Sequence, residues 1–224
     1  MSCLTILHVL RRPAATSFFH SQKHANFRNF PRFAHCNMAT KKRALVFLAP
    51  GFEEIEFITA VDVLRRGGVE VVVASTDGGD HVCGSNNVRI MPDQKLCDIK
   101  ESFDALVLPG GLGGATAMAK SAQVGEMLRE QEKKCKIIAA ICAAPTVLKA
   151  HGVGKGKNVT SYPAMEKEMS ECGDYKYKND DVVVDEYLIT SRGPGTSFKF
   201  AFTVLKQLTD DVKASEIAKR MLCM

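Results

Sequence analysis

Residues 136–152 constrain the fold of this chain more than any other part of its sequence. They read KIIAAICAAPTVLKAHG: a short apolar segment, a cysteine, small residues and then a proline. A short, continuously apolar segment after polar residues is typical of a strand buried on both faces of a parallel sheet. Pro145 favours the first turn of a helix, where its missing N–H costs no hydrogen bond. The sequence therefore predicts that Cys142 lies where a buried strand passes into a helix.

This position of Cys142 has two interpretations. Unpaired N–H groups and the positive end of a helix dipole favour a thiolate, which is the nucleophilic form of cysteine. The arrangement is similar to a nucleophile elbow with sulfur in place of oxygen. The alternative is a buried structural cysteine, since free cysteine is among the most buried residue types. The abrupt change from strand to helix favours the reactive cysteine, ionised at neutral pH.

Strands and helices alternate from Arg43 onward, which predicts an α/β domain with a mostly parallel sheet covered by helices on both faces. The predicted strands are Ala44–Ala49, Val69–Ser75, Ala105–Leu108, Ile137–Ile141 and Val159–Ser161. Hairpins are predicted within Asp77–Asp93 and between Val182–Val184 and Leu188–Ser191. The predicted helices are Glu53–Arg66, Ala122–Lys134, the segment after Cys142, Thr196–Leu208 and Asp211–Leu222, with a loop over Pro109–Gly114. We expect one domain, residues 41–224.

Residues 1–40 differ in composition from the rest of the chain. They contain five basic residues, no acidic residue and several hydroxyl side chains. Such a composition is typical of a mitochondrial transit peptide. The alternative is a disordered leader, with translation beginning at Met38. If the leader is a transit peptide, we expect the protein in mitochondria. If translation begins at Met38, we expect it in the cytoplasm and possibly also in the nucleus.

Several classes of function are disfavoured by the remainder of the sequence. The formal net charge of +5 is carried by residues 1–40, which leaves 25 basic and 25 acidic residues beyond them and no basic surface for nucleic acid. No segment is apolar enough to span a bilayer. The eight cysteines show no C-x-x-C and no zinc-like spacing with histidine, which favours a reducing compartment and no metal site. The first strand is not followed by G-x-G-x-x-G, so no dinucleotide cofactor is expected.

Three loops are expected to meet at the carboxyl edge of the sheet, where ligands bind in open α/β folds, and the turn at Cys142 is one of them. The loop after the first strand contains Glu56, which shares a helix face with the small apolar positions 60, 63 and 67. A carboxyl on that face is removed from water, so it holds its proton more tightly and is able to serve as a general acid and base. The alternative is that Glu56 is a solvated glutamate in the first turn of the helix. The loop at Gly110 and Gly111 allows close backbone approach, and the N–H groups of Gly111 and Ala143 are candidates for an oxyanion site.

Two further segments are candidates for the same edge. Ser161, Tyr162 and Pro163 end a predicted strand, and the turn that contains Pro194 joins a strand to a helix. His81 lies in the predicted hairpin, and His151 is at the far end of the helix that follows Cys142. Neither histidine is a convincing base, so a Cys–His protease or amidotransferase is poorly supported.

The chain resembles the ThiJ/PfpI superfamily, most closely its protein deglycase branch. The segments that carry the resemblance are KRALVFLAPGFEEIE, VDVLRRGG, VLPGG, IAAICAAPTVL and LITSRGPGTSF. The resemblance implies a flavodoxin-like, doubly wound fold and a homodimer. It also implies a nucleophilic, oxidation-prone Cys142 paired with a protonated Glu56. Catalytic roles are thus predicted for Cys142, Glu56, Gly111 and Ala143, and substrate contacts for Gly110, Tyr162 and Pro194.

The function implied by this resemblance is that of a cofactor-independent deglycase or glutathione-independent glyoxalase, of hydrolase or lyase type. Its substrates are small α-oxoaldehydes such as methylglyoxal, or glycated protein side chains, and its role lies in protection from oxidative stress. The alternative is a redox sensor and redox-regulated chaperone that uses oxidation of the same cysteine. Two positions depart from the family: Tyr162 replaces a pocket histidine and Asn86 replaces an arginine, whereas Arg66 is retained.

Overall fold

The computed structural model describes residues 41–171 and 173–223. Its strands are β1 (Arg43–Leu48), β2 (Glu70–Ser75), β3 (Val82–Cys83), β4 (Arg89–Ile90), β5 (Gln94–Lys95), β6 (Ala105–Leu108), β7 (Ile137–Ile141), β8 (Asn158–Val159), β9 (Lys176–Tyr177), β10 (Val182–Asp185) and β11 (Leu188–Ser191). Its α-helices are α1 (Glu54–Arg66), α2 (Leu112–Lys120), α3 (Ala122–Lys133), α4 (Pro145–His151), α5 (Glu166–Glu171), α6 (Ser197–Leu208) and α7 (Asp211–Arg220).

Seven of these strands form one sheet in the order β10-β11-β7-β6-β1-β2-β5. All neighbouring strands pair in parallel except β10 and β11, which form an antiparallel hairpin. The chain runs outward from β1 to β2 and then returns to β6 on the other side of β1. The strand order therefore reverses between β1 and β6, which is where open α/β sheets bind their ligands. The predicted flavodoxin-like, doubly wound α/β fold is confirmed.

The central strands are buried because helices cover the sheet in two groups. Strand β6 is fully buried, and β1 and β7 are buried except for their first residues. Helix α1 packs against α6 and α6 against α7, whereas α2, α3 and α4 pack against one another. Burial on both faces explains why these strands are continuously apolar rather than alternating.

Helix α2 takes up part of the segment that the sequence predicts to be a loop. The loop expected over residues 109–114 ends at Gly111, and Leu112 to Gly114 are already helical. Glycine has a low helix propensity, but here it permits close packing: a Cβ on Gly113 would lie 3.1 Å from the Cα of Gly51. Tertiary contact outweighs local propensity at this point, and it brings the loop after β1 against the loop after β6.

Other differences from the predicted elements are small. Helix α1 begins at Glu54 rather than Glu53, and α6 and α7 are shorter than predicted by one and two residues. Strands β5 and β9 were not predicted because each has two residues, too few to show an alternating or apolar pattern. The strand predicted at Val159–Ser161 is present as β8, which is shorter and begins one residue earlier, at Asn158–Val159. Helix α5 was also not predicted, since only one of its six residues is buried. The hairpin expected within residues 77–93 is present as β3 and β4.

The predicted basic leader and the boundary at residue 40 lie outside the described residues. Within the part of the chain that the structure covers, no helix is both long and apolar enough to cross a bilayer. All five cysteines of that part, Cys83, Cys97, Cys135, Cys142 and Cys223, are free thiols.

Candidate active site

Cys142 lies directly after β7, at the point where the buried strand turns into α4. Its backbone has a φ of 63°, in the left-handed region that residues with a Cβ seldom adopt. The N–H of Cys142 donates to the carbonyl of Ser191 (3.0 Å), and its carbonyl accepts from the N–H of Tyr162 (2.8 Å). These two bonds tie the turn to neighbouring segments and hold the strained conformation, which points to a functional constraint on this residue.

Glu56 projects from the first turn of α1 and is 1% exposed. Its Oε2 accepts a hydrogen bond from the N–H of Gly110 (2.8 Å), and its carboxyl interacts with the thiol of Cys142. Its Oε1 is buried and has no nitrogen or oxygen partner among the described residues. Because Oε2 already accepts an N–H, Oε1 is the oxygen best placed to carry a proton.

The acid strengths of Glu56 and Cys142 depend on each other. Burial raises the pKa of Glu56 to about 7, although its hydrogen bonds with Cys142 and Gly110 act in the opposite direction. Burial, followed by the negative charge of Glu56, raises the pKa of Cys142 to about 12. The N–H groups of Gly111 and Ala143 oppose this rise, because both donate to the sulfur.

This result corrects the expectation that the helix start alone makes Cys142 a thiolate at neutral pH. The sulfur is too deeply buried, and an ionised Glu56 repels its negative charge. When Glu56 carries the proton, that repulsion is absent and the carboxyl becomes a third donor to the sulfur. The thiolate is therefore favoured only in the state in which Glu56 holds the proton, so the two groups titrate as a pair.

The two predicted oxyanion donors also have a different contact from the one expected. The N–H groups of Gly111 and Ala143 face the sulfur of Cys142 itself. In the absence of a substrate, these two N–H groups stabilise negative charge on the sulfur of Cys142. An oxyanion formed on a carbon bound to that sulfur would lie beside the same two donors.

A cavity of about 490 Å³ opens beside Cys142. Its lining combines a few polar side chains with apolar ones and comes from six segments of the chain: Gly51, Glu53, Ser85, Gly111, Leu112, Gly113, Cys142, Ala143, Tyr162, Ala164, Met165 and Pro194. This volume and this mixture of surfaces are typical of a small-molecule site. Two of the predicted substrate contacts, Tyr162 and Pro194, are on its wall.

Gly110, the third predicted substrate contact, lies behind Cys142. Its N–H is occupied by Glu56, and a Cβ at this position would be 2.5 Å from the Cβ of Cys142. The structure thus assigns Gly110 to the support of the Glu56–Cys142 pair. His151 is also directed elsewhere, with its Nε2 3.0 Å from the carbonyl of Met118.

No local sequence pattern indicates the role of Glu54. This residue is 9% exposed and accepts hydrogen bonds from the hydroxyl of Ser85 and from the backbone and side-chain N–H groups of Asn86. These bonds hold the β3–β4 hairpin against α1 and place Ser85 on the cavity wall. Contacts between segments about 30 residues apart leave no local pattern, which explains why Glu54 and Ser85 were missed.

Comparisons with known proteins agree with this geometry. A model of the DJ-1/PfpI family matches residues 42–207. The chain is 52% identical to Protein dj-1beta of Drosophila melanogaster, over 81% of this chain and 97% of that protein. It is 41% identical to the Glutathione-independent glyoxalase DJR-1.2 of Caenorhabditis elegans, over 84% of this chain and 99% of that protein. The crystal structure of Drosophila melanogaster DJ-1beta matches the fold with a TM-score of 0.79, covering 81% of this chain and 98% of that one.

Proposed function

The chain belongs to the DJ-1/PfpI family, and from this premise we propose that it is a cysteine-dependent, glutathione-independent glyoxalase that also removes glyoxal adducts from proteins. The observation that carries the proposal is the contact of the buried Glu56 carboxyl with the thiol of Cys142, which itself lines a cavity of small-molecule size. The glyoxalase named among the relatives supports the same reaction class. A role in protection from oxidative stress follows from removal of reactive aldehydes.

In the proposed reaction Glu56 first donates a proton to the substrate and then accepts one from it. The thiolate of Cys142 attacks the aldehyde carbon of the α-oxoaldehyde, and Glu56 gives its proton to the oxygen, which yields a hemithioacetal. The Glu56 carboxylate then removes the hydrogen from that carbon as a proton and returns it to the neighbouring carbon, while the hydroxyl proton of the hemithioacetal passes to the neighbouring ketone oxygen. The product is a thioester, which water hydrolyses to the 2-hydroxy acid and the free thiol. Methylglyoxal plus water thus gives lactate.

Lactate formation from methylglyoxal without glutathione tests this proposal. We expect turnover in the wild type, loss of at least about 1,000-fold in Cys142→Ala, and a large loss in Glu56→Gln. Cys97→Ser is the matched control, since Cys97 is an exposed free thiol away from the cavity lining. Lactate production that survives Cys142→Ala would contradict the proposed mechanism. Release of glyoxal adducts from a glycated peptide, measured on the same variants, tests the deglycase activity.

A second candidate function uses oxidation of the same sulfur. Peroxide converts a thiolate to sulfenate and then sulfinate, with water as the other product of each step. The Glu56 carboxyl and two N–H groups directed at the sulfur favour such an anion. Intact-mass analysis after mild peroxide treatment is expected to show two added oxygens at Cys142 alone; equal oxidation of the exposed Cys97, Cys135 and Cys223 would contradict a sensor.

We also propose a homodimer, which the resemblance implied. Ile55 and Ile58 are 54% and 46% exposed on one face of α1, and Val88 and Met91 are exposed on the hairpin that α1 holds through Glu54. Exposed apolar residues grouped in this way are typical of a protein interface.

Residues 1–40 are proposed to direct the protein to mitochondria because of their basic, acid-free composition. Fluorescent fusions of the full chain and of a chain begun at Met38 test this proposal. We expect mitochondrial fluorescence only with the full chain. Diffuse cytosolic fluorescence of both would contradict it.

A further inference from the structure

We propose that Tyr162 makes the Cys142 cavity selective for α-oxoaldehydes with an aromatic or similarly bulky apolar substituent, in preference to methylglyoxal. This inference rests on the proposed glyoxalase function and names the substrate class of that site. It follows from the size of the cavity, the residues around Tyr162 and the way in which its ring is held.

The cavity is large for a substrate whose only substituent is a methyl group. Its volume of about 490 Å³ lies within the range of sites that enclose drug-sized ligands. Tyr162 shares its wall with Leu112, Ala164, Met165 and Pro194, which present apolar groups. Methylglyoxal would leave most of this apolar surface in contact with water, whereas a larger apolar substituent would cover it.

The backbone of Tyr162 is fixed relative to the nucleophile. Its N–H donates to the carbonyl of Cys142 (2.8 Å), so the main chain of Tyr162 is held beside the main chain of the nucleophile. Its carbonyl accepts from the N–H of Met165 (2.8 Å), which closes a short turn and brings Ala164 and Met165 to the same wall. A binding surface positioned in this way loses little conformational freedom when a substrate arrives.

The ring of Tyr162 is supported on one side and open on another. A Cβ on Gly193 would lie 3.3 Å from ring atom Cδ2, so the ring rests on the backbone beside Pro194. The residue is nevertheless 45% exposed, and its hydroxyl makes no hydrogen bond to any residue that the structure describes. A supported, accessible aromatic ring is suited to offset or edge-to-face packing with an aryl group.

The experiment compares phenylglyoxal, which gives mandelate, with methylglyoxal, which gives lactate, in the wild type and in Tyr162→Ala and Tyr162→Phe. We expect the wild type to have the higher kcat/KM for phenylglyoxal. Tyr162→Ala is expected to lower that value about tenfold, chiefly through KM, and to lower the value for methylglyoxal by a clearly smaller factor. Tyr162→Phe should resemble the wild type. Phe198→Ala is the control, because Phe198 is equally exposed but lines another groove.

Equal effects of Tyr162→Ala on both substrates, or a wild-type preference for methylglyoxal, would overturn the inference while leaving the glyoxalase function intact. A second measurement does not depend on turnover: protection of Cys142 from iodoacetamide by mandelate or by lactate. Stronger protection by mandelate that disappears in Tyr162→Ala supports the inference. Equal protection by the two acids, or mandelate protection that is unchanged in Tyr162→Ala, contradicts it even if neither aldehyde is turned over.

Discussion

Cys142 and Glu56 share one proton over the pH range in which the protein is expected to work. Burial places the pKa of Glu56 at about 7, and loss of that proton opposes ionisation of Cys142. Sequence reasoning identified both residues because each lies within a short local pattern: a strand-to-helix junction and a helix face. It misjudged the resting charge of the sulfur because a sequence does not show how deeply a group is buried.

Replacement of Glu56 by glutamine is expected to stabilise the folded protein at alkaline pH. The folded state raises the pKa of this carboxyl, so the stability it contributes is greatest below its unfolded pKa and is lost as pH rises to about 7. Glu56→Gln should therefore raise the free energy of unfolding at pH 8 by up to about 3 kcal/mol. The gain should shrink towards pH 5.

Urea unfolding of the wild type and Glu56→Gln at both pH values measures this difference. Glu126→Gln is the matched control, since Glu126 is an exposed glutamate on α3. A stability difference that is the same at pH 5 and pH 8 would show that Glu56 does not titrate between them.

Gly110 is expected to tolerate no side chain. A Cβ would lie 2.5 Å from the Cβ of Cys142 and 2.6 Å from Oε2 of Glu56, so one of the two groups must move. Gly110→Ala should destabilise the fold by about 1–3 kcal/mol and lower kcat by at least tenfold, roughly the effect of a displaced reacting group. Gly195→Ala, where a Cβ would meet no atom within 4 Å, is the control. Thermal melts and turnover that are unchanged in Gly110→Ala would contradict the placement of the pair.

At the scale of secondary structure, the start of α1 combines three glutamates with different roles. The side chain of Glu53 caps the helix by accepting from the N–H of Glu56 (2.8 Å), Glu54 anchors the hairpin, and Glu56 reaches the sulfur. The sequence predicted the helix and the hairpin separately because each has its own local signal. Their attachment through Glu54 depends on packing between distant segments and was not predictable.

Glu54→Ala is expected to loosen the β3–β4 hairpin without unfolding α1. It removes the acceptor of Ser85 and Asn86, so the cost should be about 1–3 kcal/mol for donors left without a partner. Hydrogen exchange should become faster at the N–H of Asn86, which donates to this carboxylate, and stay slow within α1. Asp80→Ala is the control, since the side chain of Asp80 is 94% exposed in the same region. Unchanged exchange at Asn86 would show that Glu54 does not hold the hairpin.

At the scale of the whole molecule, the sequence predicted the sheet well because its central strands are continuously apolar and are punctuated by glycine and proline. It did not predict the exposed apolar residues on α1 and the hairpin, because exposure is a property of the assembled fold. Ile55, Ile58, Val88 and Met91 remain accessible after the core is complete. We propose that they form the contact between two copies of the chain.

Ile58→Asp is expected to convert the proposed dimer to monomer, since a charge buried at an apolar interface has no partner. Sedimentation velocity measures the change. Val212→Asp is the control: Val212 is 78% exposed on α7, on a different surface. A wild-type protein that is monomeric at every concentration, or an Ile58→Asp variant that remains dimeric, would contradict the proposed interface.

The rate of alkylation of Cys142 as a function of pH tests the shared proton most directly. Peptide mass spectrometry distinguishes Cys142 from the other thiols in the wild type and in Glu56→Gln. In the wild type the rate should rise with pH, level off near 7 when the pair loses its first proton, and rise again only in strongly alkaline solution. In Glu56→Gln the break near pH 7 should be absent. The same break in both proteins would show that Cys142 titrates independently of Glu56 and would contradict the account.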